Sequence, residues 1–516
     1  MTKINIRKSK DNTVISPQLH GQFIEFLGTC ISGGIWVGKD SEIPNYDGLR
    51  KDVVDALKEL NPPVIRWPGG CYRDMYHWRD GIGKERKTTW NENFGTYFPE
   101  KNEFGTHEFM KLCELVGAKP WLNINMLRGT VSEMVEWAEY CNRREDTTLS
   151  RERALNGHKE SFDVEYWGIG NEPWSGGGNY TRQGYSDEYR KYATAMPAFR
   201  QSEENDDFKI KLIACGPDGN KPNERIKWTK DFFKAMGEYR TPPIFGYDLH
   251  FYNWNIKDYS KKEYEFEKED WYSVIKGALE LEDVIKEQVG LMNDGIQSIP
   301  DMESQFEEKR PECSLVIGEW GNWHGSAFNA RPALYQQCTM RDAITTALTL
   351  DILHRNAKDI KMACAAQAVN VLNSVILTED RHTILTPNFY VSKMYMAHRG
   401  GILLDLDINT DCIGTNEENM VNSVYAFSSE KDGVVTLNIV NTDIEHTNDV
   451  SVKFDFPTEY IEGTSLFSDD VHNVNSVGAP DKIVPLNRDT PIMNENGYNI
   501  KVKPASVNVY TFRIAH

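Results

Sequence analysis

From about residue 17 to 399 the chain alternates short apolar runs with amphipathic segments, and no other feature constrains its fold so strongly. Parallel strands cannot be joined by tight turns and need a crossover, usually a helix, so such alternation builds β/α units. Eight apolar runs read as strands: His20 to Phe26, Pro63 to Pro68, Lys119 to Asn125, Val164 to Glu172, Ile210 to Pro217, Tyr247 to Tyr252, Ser314 to Trp320 and Lys361 to Asn370. Eight parallel strands close a ring, so the sequence predicts an α/β fold, a (β/α)8 TIM barrel. The intervening segments carry helix signals. Apolar residues recur at helical spacing from Asp47 to Leu60 before Asn61-Pro62-Pro63 stops the helix, Thr130-Val-Ser-Glu133 matches a capping box, and Leu334 to Leu353 reads as a helix packed on the barrel.

After Gly400 the period changes to two. Val421 to Phe427, Val434 to Val440, Val450 to Phe456, Asn499 to Val502 and Val507 to Phe512 are alternating or β-branched runs separated by turn residues, which predicts a C-terminal all-β sandwich, jelly-roll-like. Lys3-Ile-Asn-Ile-Arg7 also alternates. The expected division is a catalytic barrel over 17–399 and a sandwich over 400–516, joined by a strand from 1–16. The charged and aromatic run Lys257 to Glu269 reads as a solvated loop, with a lid as the alternative.

Composition narrows the function. The net charge of -19 repels nucleic acid and anionic membrane surfaces alike, and a neutral substrate fits better than a polyanion. The segment MTKINIRKSKDNTVI lacks the apolar stretch of a signal peptide and no run approaches a membrane span, so a cytoplasmic protein is expected. Nine scattered cysteines, none in a C-x-x-C pair, signal neither a disulfide framework nor a zinc site.

In a β/α barrel the chemistry sits where the strands end. Those ends offer Glu25, Arg66, Asn123 and Asn125, Asn171 and Glu172, His250 and Tyr252, Glu319, and Gln367 and Asn370. Carboxylates, amides and aromatics without a phosphate loop or metal cluster suggest a sugar site. Glycoside cleavage needs one protonated carboxyl group beside the leaving oxygen and one ionised group below the anomeric carbon. Glu172 and Glu319, on strands four and seven, supply such a pair; the bland alternative is a buried ion pair, for example with Arg66. Their Gly-Asn-Glu and Gly-Glu-Trp contexts favour the catalytic reading.

Several segments carry a family resemblance. Trp167-Gly-Ile-Gly-Asn-Glu-Pro-Trp174 resembles the acid/base segment of the large clan of retaining barrel hydrolases. Gly33-Gly-Ile-Trp-Val-Gly38, Arg66-Trp-Pro-Gly-Gly-Cys71, Tyr76-His-Trp-Arg-Asp-Gly-Ile-Gly83, Phe104-Gly-Thr-His-Glu-Phe109, Leu377 with Leu385-Thr-Pro387, and Pro504-Ala-Ser-Val507 resemble α-L-arabinofuranosidases of glycoside hydrolase family 51. The resemblance implies removal of terminal α-L-arabinofuranosyl residues from arabinoxylan or arabinan fragments, with no cofactor and no metal. It makes Glu172 the acid/base and Glu319 the nucleophile. It also implies that Glu25, Asn171, Tyr252 and Gln367 hold sugar hydroxyls, that Arg66 and Cys71 line the floor, and that Tyr252 bonds the nucleophile. A homo-oligomer, such as a hexamer, is a further implication. The chain departs from the family at Phe26, at Trp90-Asn-Glu92 and at Ser175-Gly176, positions that touch the substrate entrance.

Other residues keep two readings. Cys71 is a small wall residue rather than a reactive thiol, since no base is evident beside it. His250 either touches sugar or orients a neighbour. Trp174 and Trp323 are substrate candidates because an aromatic face accepts a sugar ring, although either residue also suits a core. The alternatives to an arabinofuranosidase are an endo-acting β-1,4-glucanase or xylanase on the same barrel and an inactive carbohydrate-binding barrel.

Overall fold

A computed structural model describes residues 1–199, 208–254, 258–299, 311–488, 490–494 and 497–515. Eight strands close a barrel in sequential order: β1 (Gly21–Phe23), β2 (Val64–Trp67), β3 (Lys119–Ile124), β4 (Tyr166–Ile169), β5 (Lys211–Asp218), β6 (Gly246–Asn253), β7 (Ser314–Asn322) and β8 (Ile360–Ala366). Each coincides with one of the eight apolar runs. The register is parallel from β1 through β6, pairing Phe23 with Arg66, Arg66 with Trp121, and Ile124 with Ile169. Because both faces are covered, whole strands are buried, which is why they read as continuous apolar runs rather than alternating ones.

The helices stop and start where local chemistry dictates. The helix Lys51–Leu60 ends at Asn61, which takes a left-handed conformation and donates its N–H to Leu57, with Pro62 barring continuation. Thr130 caps the helix Val131–Asn142 by accepting from the Glu133 N–H. The helix expected from Leu334 begins instead at Met340, because Thr339 and Asp342 form a capping box there and Leu334 has a positive φ of 56°.

The chain forms two compact units: Met1–His20 with Tyr252–Asp283 and Gly321–His516, and Gly21–Phe251 with Val284–Trp320. The first contains a ten-stranded sheet. Its order is Leu486–Asn487, Thr458–Leu466, Ser506–Ile514, Val434–Asn441, Val424–Lys431, Ile402–Asn409, Thr2–Lys8, Asn448–Phe454, Gly497–Val502 and Ile492–Asn494. The sheet curls so that Ile4 and Ile6 share one core with Leu437, Val452, Ile500 and Phe512. Thr2–Lys8 alternates buried and exposed residues and lies between Ile402–Asn409, antiparallel, and Asn448–Phe454, parallel.

The first residue of the run Lys257 to Glu269 lies outside the described residues. The rest is not simply solvated: Glu263 is buried and accepts from Ser326 at 2.6 Å, while Phe266 is buried with the Arg341 guanidinium 4.0 Å from its ring centre.

Candidate active site

Arg66 organises the site. An arginine inside a barrel strand must find partners for its charge and donors, and this fully buried side chain donates to Glu319 Oε1 and to Asn171 Oδ1, each at 2.6 Å. Phe23 and Trp121 flank the guanidinium at 4.6 and 5.2 Å. The ion pair considered as an alternative to catalysis therefore exists, and the same Glu319 oxygen also lies 3.6 Å from His250 Nδ1.

Glu172 leaves β4 by three residues and adopts φ 37°, a left-handed conformation that costs a non-glycine residue on the order of 1–3 kcal/mol. The turn is fixed by Ser175 and Gly177 N–H groups donating to the Glu172 carbonyl at 2.9 and 3.1 Å. It presents the carboxyl group to His250, whose Nδ1 lies 3.0 Å from Glu172 Oε1 and 3.6 Å from Glu319 Oε1. One polar atom from each of Glu172, His250 and Glu319 lies within 4.8 Å of the others.

Burial and charged neighbours set the protonation tendency of Glu172 and His250. Burial raises the Glu172 pKa above the usual carboxylate value; the hydrogen bond to His250 offsets part of this, and the charge of Glu319 adds to it. For His250, burial favours the neutral ring, but Glu319 and Asp248, with hydrogen bonds to Asp248 and Glu172, outweigh it and push the pKa up to about 10. The three side chains are close enough to surround a cation, but the protonated ring that these neighbours favour has no lone pair to offer one.

Glu25 sits against the Gly69-Gly70 pair. It accepts from the Tyr72 N–H at 2.8 Å and the Asn93 amide at 2.9 Å. A Cβ at Gly69 or Gly70 would approach the Glu25 side chain to 2.7 or 3.0 Å, which explains two glycines in the Arg66-to-Cys71 motif. Burial, then the charge of Glu319, pushes Glu25 up to about 7. Cys71 Sγ is 3.9 Å from Glu172 Oε2, and burial followed by the Glu172 charge pushes its thiol well up, which disfavours the nucleophilic thiolate.

Thus Glu25, Arg66, Cys71, Asn171, Glu172, His250 and Glu319 come together in one unit. Trp174 lies two residues beyond Glu172; its indole donates to the Gly216 carbonyl at 3.2 Å and lines a cavity of about 620 Å³ with Tyr180, Asp218, Lys221 and Trp228. Tyr252, Trp323 and Gln367 belong to the other unit. There Trp323 meets Tyr252 edge-on at 5.1 Å and stacks on Trp254 at 4.5 Å, and Gln367 is buried directly after β8. Sequence reading missed Asp248 and Asn93. Asp248 shares a strand face with His250, two residues on, and that alternation was the available signal. Asn93 lies in a hairpin loop with no pattern to mark it.

Two domain families match the sequence: the alpha-L-arabinofuranosidase 1 domain over residues 56–270 and the alpha-L-arabinofuranosidase C-terminal domain over 318–506. A relative from Bacteroides ovatus, an intracellular exo-alpha-L-arabinofuranosidase, is 35% identical over 512 residues, covering 98% of this chain and 94% of its own. The crystal structure of the GH51 arabinofuranosidase from Xanthomonas axonopodis pv. citri superposes with a TM-score of 0.89 at 31% identity over 99% of both chains. That of the Thermotoga maritima alpha-L-arabinofuranosidase in complex with arabinose gives 0.81 at 25% identity over 100% of both.

Proposed function

We propose, for a chain that belongs to the α-L-arabinofuranosidases of glycoside hydrolase family 51, that Glu172 and Glu319 carry a double displacement on terminal arabinofuranosyl residues. The protein is a glycoside hydrolase of exo α-L-arabinofuranosidase type. The endo-acting alternative is not favoured, since the relatives carry arabinofuranosidase names over nearly their whole length. The inactive-barrel alternative would call for loss of a carboxyl group, and both are in place.

The observation that supports the mechanism is the closeness of the two carboxyl groups, one oxygen of Glu172 lying within 4.8 Å of one oxygen of Glu319. Retaining enzymes hold their carboxyl groups roughly 5–5.5 Å apart, whereas inverting ones leave room for a water at roughly 6.5–9.5 Å. Glu172, whose burial favours the protonated form, gives its proton to the glycosidic oxygen as Glu319 attacks the anomeric carbon and the alcohol leaves. Glu172 then takes a proton from the water that attacks the glycosyl ester, and the released electron pair returns to Glu319. Arg66 holds Glu319 and Asn171 in register for both steps. We assign sugar binding to Glu25, Asn171, His250, Tyr252 and Gln367, walls to Arg66 and Cys71, and ring contacts to Trp174 and Trp323.

Arabinoxylan or arabinan oligosaccharides are the substrates we expect, processed by a homo-oligomer in the cytoplasm. The name of the Bacteroides relative and nine free cysteines support that location. No described helix is long and apolar enough to cross a membrane. We retain 17–399 as the catalytic barrel and 400–516 with 1–16 as the sandwich. Product analysis on arabinoxylan tests this reading: free arabinose with an unshortened main chain is expected, and xylo-oligosaccharides with falling viscosity would overturn it.

A further inference from the structure

We propose that Asp248 is a positioning residue that ties the two reacting carboxyl groups together, gripping Glu172 through His250 and Glu319 through the backbone of Gly318. The inference rests on the roles assigned above to Glu172 and Glu319. Asp248 is buried on β6, and its two oxygens face in different directions: Oδ2 lies 3.2 Å from His250 Nε2, and Oδ1 accepts the Gly318 N–H at 2.6 Å. The other face of His250 reaches Glu172 at 3.0 Å, and Gly318 directly precedes Glu319. Position 318 must be glycine for this grip, because a Cβ there would fall 2.4 Å from both Asp248 oxygens.

The arrangement addresses a difficulty of the two-step reaction. His250 faces Glu172 after β4, Glu319 on β7 and Asp248 on its own strand; Arg66 on β2 holds Glu319, while Cys71 lies against Glu172 and the charge of Asp218 acts on Glu172. Among the groups that keep the imidazole charged, Glu319 comes first and Asp248 second. When Glu319 forms its ester with the sugar its negative charge disappears. Asp248 then shares with the newly ionised Glu172 the task of keeping His250 protonated, while Glu172, having lost its proton to the leaving alcohol, must act as a base toward water. A cation beside Glu172 at that stage favours its ionised form, so the bridge serves the second step more than the first.

Asp248→Asn separates shape from charge. Its amide oxygen still accepts from Gly318, but its NH2 faces His250 Nε2, which then carries no proton, so the ring is neutral. With an aryl arabinofuranoside of good leaving ability, kcat should fall about tenfold with KM falling in step, and a burst should appear as the glycosyl-enzyme accumulates. The basic limb of kcat/KM, set by Glu172, should move up by about one pH unit as the neighbouring cation is lost. Unmoved limbs with kcat and kcat/KM falling together would overturn the proposal. Should the variant not fold, nitrogen NMR of the wild-type His250 ring gives the answer directly: both nitrogens protonated through neutral pH is expected, and a neutral tautomer overturns it. A wild type that never forms a glycosyl-enzyme would refute the roles of Glu172 and Glu319 themselves, a result separable from either outcome for Asp248.

Discussion

Replacing Arg66 by methionine removes a charge while filling most of its volume, so the loss falls on the partners rather than on packing. Glu319 is 5% exposed and would lose a donor at 2.6 Å; Asn171 Oδ1 would lose another at the same distance. Two unit charges about 4 Å apart in an effective dielectric near 20 interact by about 4 kcal/mol, which agrees with the roughly 3–5 kcal/mol lost when one partner of a buried pair is deleted. At about 2–3 °C per kcal/mol for a unit of this size, the melting temperature should fall by about 10 °C. A nucleophile and an amide that both lose their anchor should also cost on the order of a hundredfold in kcat/KM. Arg66→Lys supplies the contrast: a point charge can serve Glu319 or Asn171 but not both in one planar fork, so stability should recover more than rate. Thermal unfolding followed by circular dichroism and kcat/KM on an aryl arabinofuranoside, measured on both variants, decide the matter. A methionine variant that melts within about 1 °C of the wild type with kcat/KM within about threefold would refute the idea that Arg66 holds the site.

Glu172→Ala should slow hydrolysis of natural oligosaccharides by about 10² to 10⁴ and that of aryl substrates with good leaving groups far less, because only the former need protonation; equal losses would contradict the acid role. For the wild type, the basic limb of kcat/KM should lie above the ordinary glutamate value, since burial and the charge of Glu319 raise Glu172 and the acid form is retained to higher pH. Gly69→Ala places a Cβ 2.7 Å from Glu25 at φ 153°, so Glu25 must shift; about 1–3 kcal/mol of stability should be lost and KM should rise, and an unchanged KM would argue against sugar contact by Glu25.

The barrel was legible because buried parallel strands are apolar throughout, and each of the eight runs announces itself between amphipathic segments. Helix ends were legible where a side chain fixes them, as at Asn61 and Thr130, and misread at Leu334, where an apolar run begins six residues before the Thr339 cap. In the curled sheet, Val434–Asn441 was visible in its β-branched run, while Ile402–Asn409 was not, because Asp405 and Asp407 break its apolar pattern on a partly exposed strand. Strand ends disclosed Glu25, Arg66, Asn171, Glu172, His250 and Glu319. Asp248 escaped that reading because it lies deeper along β6, where it serves the site through His250 and a backbone amide rather than by facing the opening, and Asn93 because a long-range hydrogen bond from a hairpin has no local signature.

Retention through a covalent intermediate on Glu319 is the claim on which the rest depends, and the configuration of the first-formed sugar tests it most directly. Proton NMR of an aryl α-L-arabinofuranoside digest, recorded before mutarotation equilibrates the product, should show α-L-arabinofuranose appearing first. The β anomer as the first product would contradict the short Glu172–Glu319 geometry as the basis of the reaction.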